Sequence, residues 1–370
     1  MEKVRLGVIG CGIMGPSHGR SALRSTKYKY EVTAVCDINK EAADRASVNF
    51  NAPAFYDHHS MFASNLVDAV IISTPHYFHT PIAIDAFEAG IHVLSDKPVA
   101  VHKNDALKMV EAHKKHPELQ FAVMFQLRTS RANQKLAELL HSGELGEVRR
   151  INWINTMWFR SQLYYDAGSW RASWAGEGGG VLLNQCPHQL DLFQWFFGMP
   201  SKLRAFCNFG KYHNIEVEDE VTAYMEFPNG ATGVFITSTA ENPGTNRLEV
   251  TCDRGKLVLE NGKLNYQRNE KMIPELIATQ VYGAPMDPCW DINIPLDNAT
   301  SATTVFDHFA DAIYGKGKVM VTGEEAIRGL EISNAILLSS FLDSEVTFPL
   351  DSDLYEEELM KRVATSCYKK

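Results

Sequence analysis

The chain has 370 residues, of which 45% are hydrophobic and 22% charged, a composition typical of ordinary globular proteins. This length predicts about two domains, and the net charge of −9 argues against nucleic acid or an anionic membrane surface as a partner. No apolar run approaches the ~18 residues of a membrane-spanning helix, and the strand pattern that starts at Val4 leaves no room for a signal peptide.

The first third of the chain alternates short apolar strands with helical stretches. Strands are predicted at 4–9, 31–36, 69–72, 91–94 and 121–124, and helices near 14–25, 39–49, 80–89 and 103–115. This βαβ alternation predicts a doubly wound parallel sheet with right-handed crossovers, which makes residues 1–125 an α/β Rossmann domain.

The pattern changes after residue 130. In chain order it predicts a helix at 131–142, a strand at 148–159, a loop rich in Trp, Tyr and Gly at 160–180, an apolar helix to 197, an antiparallel meander at 202–268 and helices at 303–314 and 323–342. We therefore predict an α+β domain with a large, mainly antiparallel sheet at 126–350, and a C-terminal helical tail at 351–370. The domain is expected to bind substrate and to pair with another subunit through the open face of its sheet.

A glycine-rich turn follows the first strand. Gly10, Gly12 and Gly15 fit the GxGxxG pattern between a strand and a helix, which is the context that a dinucleotide-binding turn requires. The first glycine allows the tight turn, the second lets the backbone approach a pyrophosphate, and the third lets helix pack on strand. The free N–H groups of the helix N-terminus attract phosphates. The residues assigned to the cofactor here are Gly10, Cys11, Gly12, Ile13, Met14 and Gly15.

Asp37 ends the second strand, 22 residues after Gly15. A carboxylate there accepts hydrogen bonds from ribose hydroxyls and repels a 2′-phosphate, which favours NAD; NADP remains possible because Lys40 is near. Loops beyond the carboxyl ends of later strands should also face the cofactor. They supply Ser73, Thr74, Pro75, His76, His79, Asp96, Lys97 and Pro98.

Lys97 and His188 are predicted to be catalytic. An ammonium group at a carboxyl strand end can stabilise a developing alkoxide or donate a proton. Glycines 178–180 permit close approach to a ligand, and the helix dipole keeps a histidine near a helix N-terminus neutral and ready to accept a proton. Asn184 and Asp191, at helical spacing from His188, are predicted to share one helix face with it.

Seven cysteines are scattered along the chain without a CxxC pair, so we expect reduced thiols and a cytoplasmic protein. The histidine pairs 58/59, 76/79 and 113/116 have no further ligands at compact spacing in the sequence. We therefore predict no metal site.

The motifs GCGIMG, STPHYFH, SDKP and GGGVLLNQCPHQLD, in this order, resemble those of the glucose–fructose oxidoreductase/inositol dehydrogenase (Gfo/Idh/MocA) family over residues 4 to about 350. The resemblance implies the two-domain fold, dimers or tetramers, and catalytic roles for Lys97 and His188. Asp96 replaces the family's usual glutamate, and Asn184 replaces its aspartate. Because an amide cannot relay a proton, Asn184 should only orient a substrate hydroxyl.

The resemblance also bears on the substrate. The Asn184-Gln185 pair resembles members that oxidise a sugar ring at its C3 hydroxyl, and Gln126 and Arg128 resemble positions that reach the cofactor or the substrate. The loop aromatics offer apolar faces and a few donors that suit a sugar ring, although a packed lid over the sheet is the alternative. The residues assigned to substrate binding are Lys97, Arg128, Trp158, Tyr164, Arg171, Trp174, Asn184 and His188.

These expectations describe an NAD-dependent oxidoreductase that transfers hydride between nicotinamide and a secondary alcohol of a sugar, glycoside or polyol, such as a pyranose C3 hydroxyl. One alternative is an NADPH-dependent keto-sugar reductase. Another is a non-catalytic regulator that senses a dinucleotide. The expected partners are a small carbohydrate and further copies of the chain, in a homodimer or homotetramer formed through the C-terminal sheet.

Overall fold

The computed structural model describes residues 3–25, 27–168, 170–281, 283, 288–296 and 304–367. Residue 169 of the aromatic loop, residue 303 of the predicted helix and residues 368–370 of the predicted tail lie outside the described residues. The chain divides into two compact units: the first contains Met1–Thr129, Gly176–Gly178 and Ser301–Glu331, and the second contains Ser130–Ala175, Gly179–Thr300 and Ile332–Lys370. Within the described ranges, no helix is both long and apolar enough to cross a membrane.

The first unit is built on a six-stranded parallel sheet. Its strands are β1 (Lys3–Ile9), β2 (Lys29–Cys36), β3 (Ala54–Phe55), β4 (Ala69–Ile72), β5 (His92–Ser95) and β6 (Phe121–Val123). Its first five helices are α1 (Met14–Leu23), α2 (Lys40–Phe50), α3 (His58–Ala63), α4 (His79–Glu88) and α5 (Lys103–Lys114). In the order β3-β2-β1-β4-β5-β6, the strands from β1 to β3 extend the sheet to one side, and those from β4 to β6 extend it to the other. Ligands of such sheets bind at the switch point between β1 and β4.

The predicted Rossmann sheet is confirmed. It was predictable because its strands are near-continuous apolar runs. All four residues of β4 are buried, as expected for a parallel strand covered on both faces. The short β3 and α3 were not predicted. With two and six residues, they are too short to show a periodicity.

The second unit contains a nine-stranded sheet in the order β14-β13-β12-β11-β7-β10-β9-β8-β15. The strands are β7 (Val148–Asn155), β8 (Lys202–Phe209), β9 (Glu218–Glu226), β10 (Thr232–Ser238), β11 (Asn246–Cys252), β12 (Gly255–Glu260), β13 (Lys263–Asn269), β14 (Cys289–Ile294) and β15 (Val346–Thr347). The sheet is mainly antiparallel, as predicted, but β7 lies between β10 and β11 and pairs with β10 in parallel. Strand β7 therefore interrupts the predicted meander. The sequence did not show this, because an alternating pattern identifies a strand but not its pairing partner.

The remaining helices are α6 (Arg131–His141), α7 (Gln162–Asp166), α8 (Val181–Asn184), α9 (Pro187–Phe197), α10 (Ile273–Thr279), α11 (Val305–Ile313), α12 (Gly323–Leu342) and α13 (Ser352–Ala364). The apolar α9 covers one face of the large sheet. The ring of Trp153 on β7 lies 6.3 Å from the rings of both Phe193 and Phe196 on α9, and 6.1 Å from that of Phe235 on β10. The predicted strand 148–159 is shorter than expected and ends at Asn155.

Helix α11 packs with the first unit, although the predicted boundaries assigned it to the second domain. Phe306 and Phe309 belong to the same buried cluster as Leu6 and Val32 of β1 and β2. The hydroxyl of Tyr30 donates a 2.6 Å hydrogen bond to the Phe306 carbonyl oxygen. The apolar face of α11 thus completes the Rossmann core, which a sequence boundary drawn at residue 125 could not reveal.

Candidate active site

The turn after β1 leaves open space beside its second glycine. Gly10 has a φ of +91°, and a Cβ there would lie 2.5 Å from the Ser73 carbonyl oxygen. A Cβ on Gly15 would lie 1.9 Å from the Gly10 carbonyl oxygen, so this glycine permits the close packing of α1 on β1. A Cβ on Gly12 would meet no described atom within 4 Å. The turn therefore has the cradle that a pyrophosphate needs, at the N-terminus of α1.

The carboxylate of Asp37 supports this turn. Its Oδ2 accepts a 2.7 Å hydrogen bond from the Cys11 N–H, and its Oδ1 accepts a 2.8 Å hydrogen bond from the Asn39 N–H. Each oxygen retains a lone pair for a further donor, such as a ribose hydroxyl. Cys11 contributes its backbone here, because its side chain is buried and burial raises the pKa of its thiol to about 12.

The loop after β4 presents hydroxyl groups. The oxygen atoms of the Ser73 and Thr74 side chains are buried and have no hydrogen-bond partner among the described residues. Such groups are costly unless water or a ligand satisfies them. They therefore suit polar atoms of a bound nucleotide.

The two histidines of this loop are both buried. Nδ1 of His76 lies 3.0 Å from the Glu177 carbonyl oxygen, and burial, with the charges of His79 and Lys97, holds the pKa of His76 well below its usual value. The ring nitrogens of His79 each lie 2.9 Å from a carbonyl oxygen, one of Pro98 and one of Thr74. The His79 ring therefore lies between the loop after β4 and the segment after β5, and a neutral imidazole, which has one N–H, donates to one of the two carbonyl oxygens.

Asp96 and Lys97 stand at the carboxyl end of β5. The Asp96 carboxylate accepts a 2.8 Å hydrogen bond from the Lys97 N–H and lies 3.1 Å from Nε2 of His18 on α1. Burial raises the pKa of Asp96, but the hydrogen bond with His18 and the charges of His18 and Lys97 outweigh burial and hold that pKa well below its usual value. Asp96 therefore fixes the loop that carries the half-buried Lys97. His18 was not predicted, because nothing in its local sequence marks it.

Gln126 and Arg128 occupy a single turn after β6, and they differ in exposure. Gln126 is exposed, whereas Arg128 is buried and its Nη1 donates a 2.6 Å hydrogen bond to Glu325. Arg128 was predicted to contact substrate. The structure places its buried guanidinium in an ion pair with the half-buried Glu325, 197 positions away in sequence.

Asn184 and His188 lie on two helices rather than on one. Helix α8 ends at Asn184 and α9 begins at Pro187, with Cys186 as its N-cap. Proline lacks an N–H and disfavours helical backbone in the residue before it, which explains the break. The predicted shared helix face is therefore wrong, although His188 does occupy the first turn of α9. Both residues belong to the second unit, whereas Lys97 belongs to the first.

Glu218, which was not predicted, fixes the start of α8. Its carboxylate accepts hydrogen bonds from the N–H groups of Gly180, at 2.8 Å, and Leu182, at 3.0 Å. A Cβ on Gly180 would lie 2.1 Å from the Glu218 carbonyl oxygen, which explains the last glycine of the triplet. A fully buried acid that caps a helix from 36 residues away gives no local sequence signal.

The aromatic loop contains stacked cations. Arg160 lies 4.9 Å from the centre of the Tyr164 ring, and Arg171 lies 5.0 Å from the same centre. Nε of Arg171 donates to the Tyr164 hydroxyl at 3.1 Å, and Nε2 of Gln185 approaches that hydroxyl at 3.4 Å. This chain of contacts joins the loop to the segment between Asn184 and α9.

The tryptophans of this loop separate into two kinds. Trp158 is half-buried, and its Nε1 has no hydrogen-bond partner in the described part of the chain. Trp174 is buried and packs on Phe209 and Phe341, with ring centres 5.7 and 5.6 Å away. The assignment of Trp174 to substrate binding is therefore not supported, because its indole belongs to the core.

Three buried amides keep unpaired atoms in the second unit. Both amide atoms of Asn155 and Oε1 of Gln185 and of Gln189 lack hydrogen-bond partners among the residues described. Because buried amides are normally satisfied, these atoms can receive water or polar ligand groups. Asn155, which ends β7, was not predicted because no motif surrounds it in the sequence.

One histidine pair has a third ligating group nearby. The side chains of His58, His59 and Asp85 lie together, and they form the only group of three or more candidate metal ligands found in the described ranges. No further ligand was expected at this pair from the sequence. Asp85 was not predicted because its carboxylate comes from another helix.

Comparisons with known proteins identify the two halves of the chain. Residues 4–125 match the model of the oxidoreductase family with an NAD-binding Rossmann fold. Residues 133–258 match the Gfo/Idh/MocA C-terminal domain.

Several curated proteins are similar in sequence. Inositol 2-dehydrogenase of Corynebacterium glutamicum is 33% identical over 157 residues, which cover 42% of this chain and 46% of that protein. The aligned part thus spans about half the length of that relative. Levoglucosan dehydrogenase of Pseudarthrobacter phenanthrenivorans is 24% identical across 94% of this chain and 99% of its own. The 1,5-anhydro-D-fructose reductase of Ensifer adhaerens is 24% identical across 90% and 95%.

Solved structures show the same architecture. The WlbA dehydrogenase of Chromobacterium violaceum, in complex with NADH and UDP-GlcNAcA, superposes with a TM-score of 0.81 at 26% identity, covering 95% of this chain and 97% of that one. Levoglucosan dehydrogenase with NADH and levoglucosan gives a TM-score of 0.79 at 21% identity, covering 94% and 100%, and supports the fold. The two matching models, the fold and the glycine turn agree, and the chain belongs to the Gfo/Idh/MocA family of oxidoreductases.

Proposed function

We propose that this protein is an NAD-dependent dehydrogenase that oxidises a secondary alcohol of a sugar, glycoside or polyol. The observation that carries the proposal is the open space beside Gly12, next to a carboxylate at Asp37 whose remaining lone pairs suit ribose hydroxyls. The relatives named as inositol and levoglucosan dehydrogenases support the substrate class. The resemblance of the Asn184-Gln185 pair to family members that oxidise a sugar ring at C3 is the reason to propose a pyranose C3 hydroxyl.

The cofactor residues divide by the part of the dinucleotide that they would hold. The turn from Gly10 to Gly15 would bind the pyrophosphate through its backbone, and Asp37 would bind the adenosine ribose. The Ser73 and Thr74 hydroxyls would form hydrogen bonds with the nucleotide, since they are buried without protein partners among the described residues. The rest of the cofactor surface would be formed by Pro75, His76, His79, Asp96 and Pro98, with Gln126 at its exposed end. When bound, NAD supplies the hydride acceptor.

The protein's own groups manage the proton. His188 would accept the hydroxyl proton, and the Lys97 ammonium would stabilise the developing alkoxide. Asp96 would keep Lys97 in place through its hydrogen bond to the Lys97 N–H. Asn184 would orient the reacting hydroxyl, because an amide can donate and accept hydrogen bonds without exchanging a proton.

Trp158, Tyr164 and Arg171 would contact the sugar. Their exposed parts combine apolar ring faces with guanidinium donors, a combination that suits the C–H face and polar rim of a sugar ring. Arg128 and Trp174 would support the site indirectly. Arg128 forms an ion pair with Glu325, and the Trp174 indole packs on Phe341.

The similarity to 1,5-anhydro-D-fructose reductase favours one second candidate, a reductase of keto-sugars that uses NADPH. Asp37 opposes it, because a 2′-phosphate would lie next to a carboxylate. Comparing the affinities of the protein for NADH and NADPH separates the two candidates.

The assembly and location are further parts of the proposal. Residues 126–350 would carry the substrate and subunit contacts, and the face of the large sheet opposite α9 would form a homodimer or homotetramer. That face exposes Phe206 and Tyr224, at 59% and 43%, which is a reason to expect a covering subunit. All seven cysteines are free thiols, as a cytoplasmic protein would keep them.

The catalytic assignment is tested by Lys97→Ala and His188→Ala. Each should lower turnover by about 10²–10⁴-fold, the usual effect of losing an acid–base group or an oxyanion stabiliser. NADH affinity should change little, because both groups act on the substrate. Lys114→Ala, which removes an exposed lysine paired with Glu111, is the matched control and should keep full activity. Near-normal turnover in either active-site variant would remove that residue from the mechanism.

A further inference from the structure

The start of α3 and the side of α4 bring three metal-ligating side chains together. Nε2 of His58 lies 2.7 Å from Oδ2 of Asp85, and Nε2 of His59 lies 3.7 Å from the same oxygen. One ligand atom from each residue lies within 4.8 Å of the other two. We propose that His58, His59 and Asp85 form a binding site for a divalent transition-metal ion of the zinc type.

The spacing of the ligand atoms fits such an ion. Zinc binds imidazole nitrogen and carboxylate oxygen at about 2.0–2.2 Å, which places tetrahedral ligand atoms about 3.3 Å apart. The two nitrogen-to-oxygen distances, 2.7 and 3.7 Å, bracket this value. Two imidazoles also favour a transition metal over Ca²⁺ or Mg²⁺, which prefer oxygen ligands.

The backbone that carries the histidines is fixed without a metal. Asp57 caps α3 by accepting a 2.8 Å hydrogen bond from the Ser60 N–H. The His58 ring packs edge-to-face on Phe62 at 5.5 Å, and it lies 4.1 Å from the His59 ring. The ligands are thus brought together before binding, and the ion would replace the hydrogen bond between His58 and Asp85.

Access and charge also favour binding. The side chain of His59 is 70% exposed and that of Asp85 29%, so an ion can enter and water can complete the coordination. Asp57 adds a second carboxylate near the histidines.

The site would hold two helices together. His58 and Asp85 are 27 residues apart in sequence, and their approach depends on the fold. An ion that binds only the folded chain stabilises it, so saturating zinc should raise the melting temperature.

The test uses the full-length protein, stripped with a chelator and titrated with ZnCl₂ by calorimetry. We expect one ion per chain, with weaker binding by at least about tenfold in His59→Ala and in Asp85→Asn, since even losing an outer-shell partner costs that much. His116→Ala is the matched control, because this histidine lies outside the cluster, with its Nδ1 3.8 Å from a Glu118 carboxylate oxygen. Co²⁺ in place of Zn²⁺ should give the visible absorption of a tetrahedral site.

His59→Ala is the decisive variant because His59 is exposed, so its loss should leave folding intact in a melt recorded with chelator. Zinc binding by this variant with unchanged affinity and stoichiometry would overturn the proposal and point to other groups, such as the exposed thiols of Cys289 and Cys367. A dissociation constant above about 1 mM for the unaltered protein would also overturn it.

Discussion

Alanine at Gly12 and alanine at Gly15 should have opposite consequences, although both glycines belong to one motif. A Cβ on Gly12 would meet no described atom within 4 Å, and Gly12 is not among the glycines with a positive φ. Gly12→Ala should therefore fold normally, within about 1 kcal/mol of the unaltered protein and with a gain as the expected sign. The added methyl group would instead occupy the cradle. We expect NADH affinity to fall at least tenfold, or about 1.4 kcal/mol.

Gly15→Ala should instead lower the stability. Its Cβ would lie 1.9 Å from the Gly10 carbonyl oxygen and 3.0 Å from a methyl group of Val8, whereas ordinary contact begins at 3.4 Å. Helix α1 must move away from β1, and overpacking of this kind costs about 1–3 kcal/mol. At about 2–4 °C per kcal/mol, the melting temperature should fall by several degrees.

Two measurements on each variant separate the effects: urea unfolding without cofactor, and fluorescence titration with NADH. Normal NADH affinity in Gly12→Ala would refute the assignment of this space to the pyrophosphate. Unchanged stability in Gly15→Ala would refute the inferred packing of α1.

Three further predictions concern single carboxyl or amide groups. Asp37→Ala should weaken NADH binding and narrow the preference for NADH over NADPH, as measured by titration with both cofactors. Because the carboxylate also accepts a hydrogen bond from the Cys11 N–H, NADPH binding should not improve greatly, and a large improvement would contradict the role of Asp37 in holding the glycine turn. Asp96→Asn should lower stability at pH 7: the depressed pKa of Asp96 provides stability that is present above the unfolded value of about 3.9 and is lost as pH falls below it. Urea unfolding from pH 7 to pH 3 should thus show a flatter acid decline for this variant, and an identical slope would argue against the interaction of Asp96 with His18. Asn184→Asp should move the ascending limb of the kcat/KM profile to higher pH, because a carboxylate near His188 favours the imidazolium; an unshifted limb would mean that the two side chains face different sites.

The cofactor turn was predictable from the sequence because its requirements are local. Gly10 and Gly15 each meet a steric demand of the adjoining backbone, whereas Gly12 leaves space for a bound group. Asp37 follows from the length of the βαβ unit. The open space beside Gly12, which we propose holds a pyrophosphate, could therefore be located without coordinates. The second role of Asp37, holding the Cys11 N–H, depends on the exact approach of two loops.

Several features that the sequence did not reveal depend on a partner far away in sequence. The ion pair of Arg128 with Glu325 and the packing of Trp174 on Phe341 both join residues that are more than 160 positions apart, and no local pattern announces them. The parallel pairing of β7 with β10 is hidden because both strands show ordinary alternation. By contrast, the helix break before Pro187 had a local signal, since proline restricts the residue that precedes it.

The most direct test of the proposed function is NADH formation by the purified protein with NAD and a panel of monosaccharides, glycosides, anhydrosugars and inositols. We predict that the unaltered protein oxidises at least one member of the panel, and that His188→Ala loses this turnover while it still binds NADH. Tight NADH binding without oxidation of any panel member, and without reduction of the corresponding keto-sugars by NADH or NADPH, would contradict it.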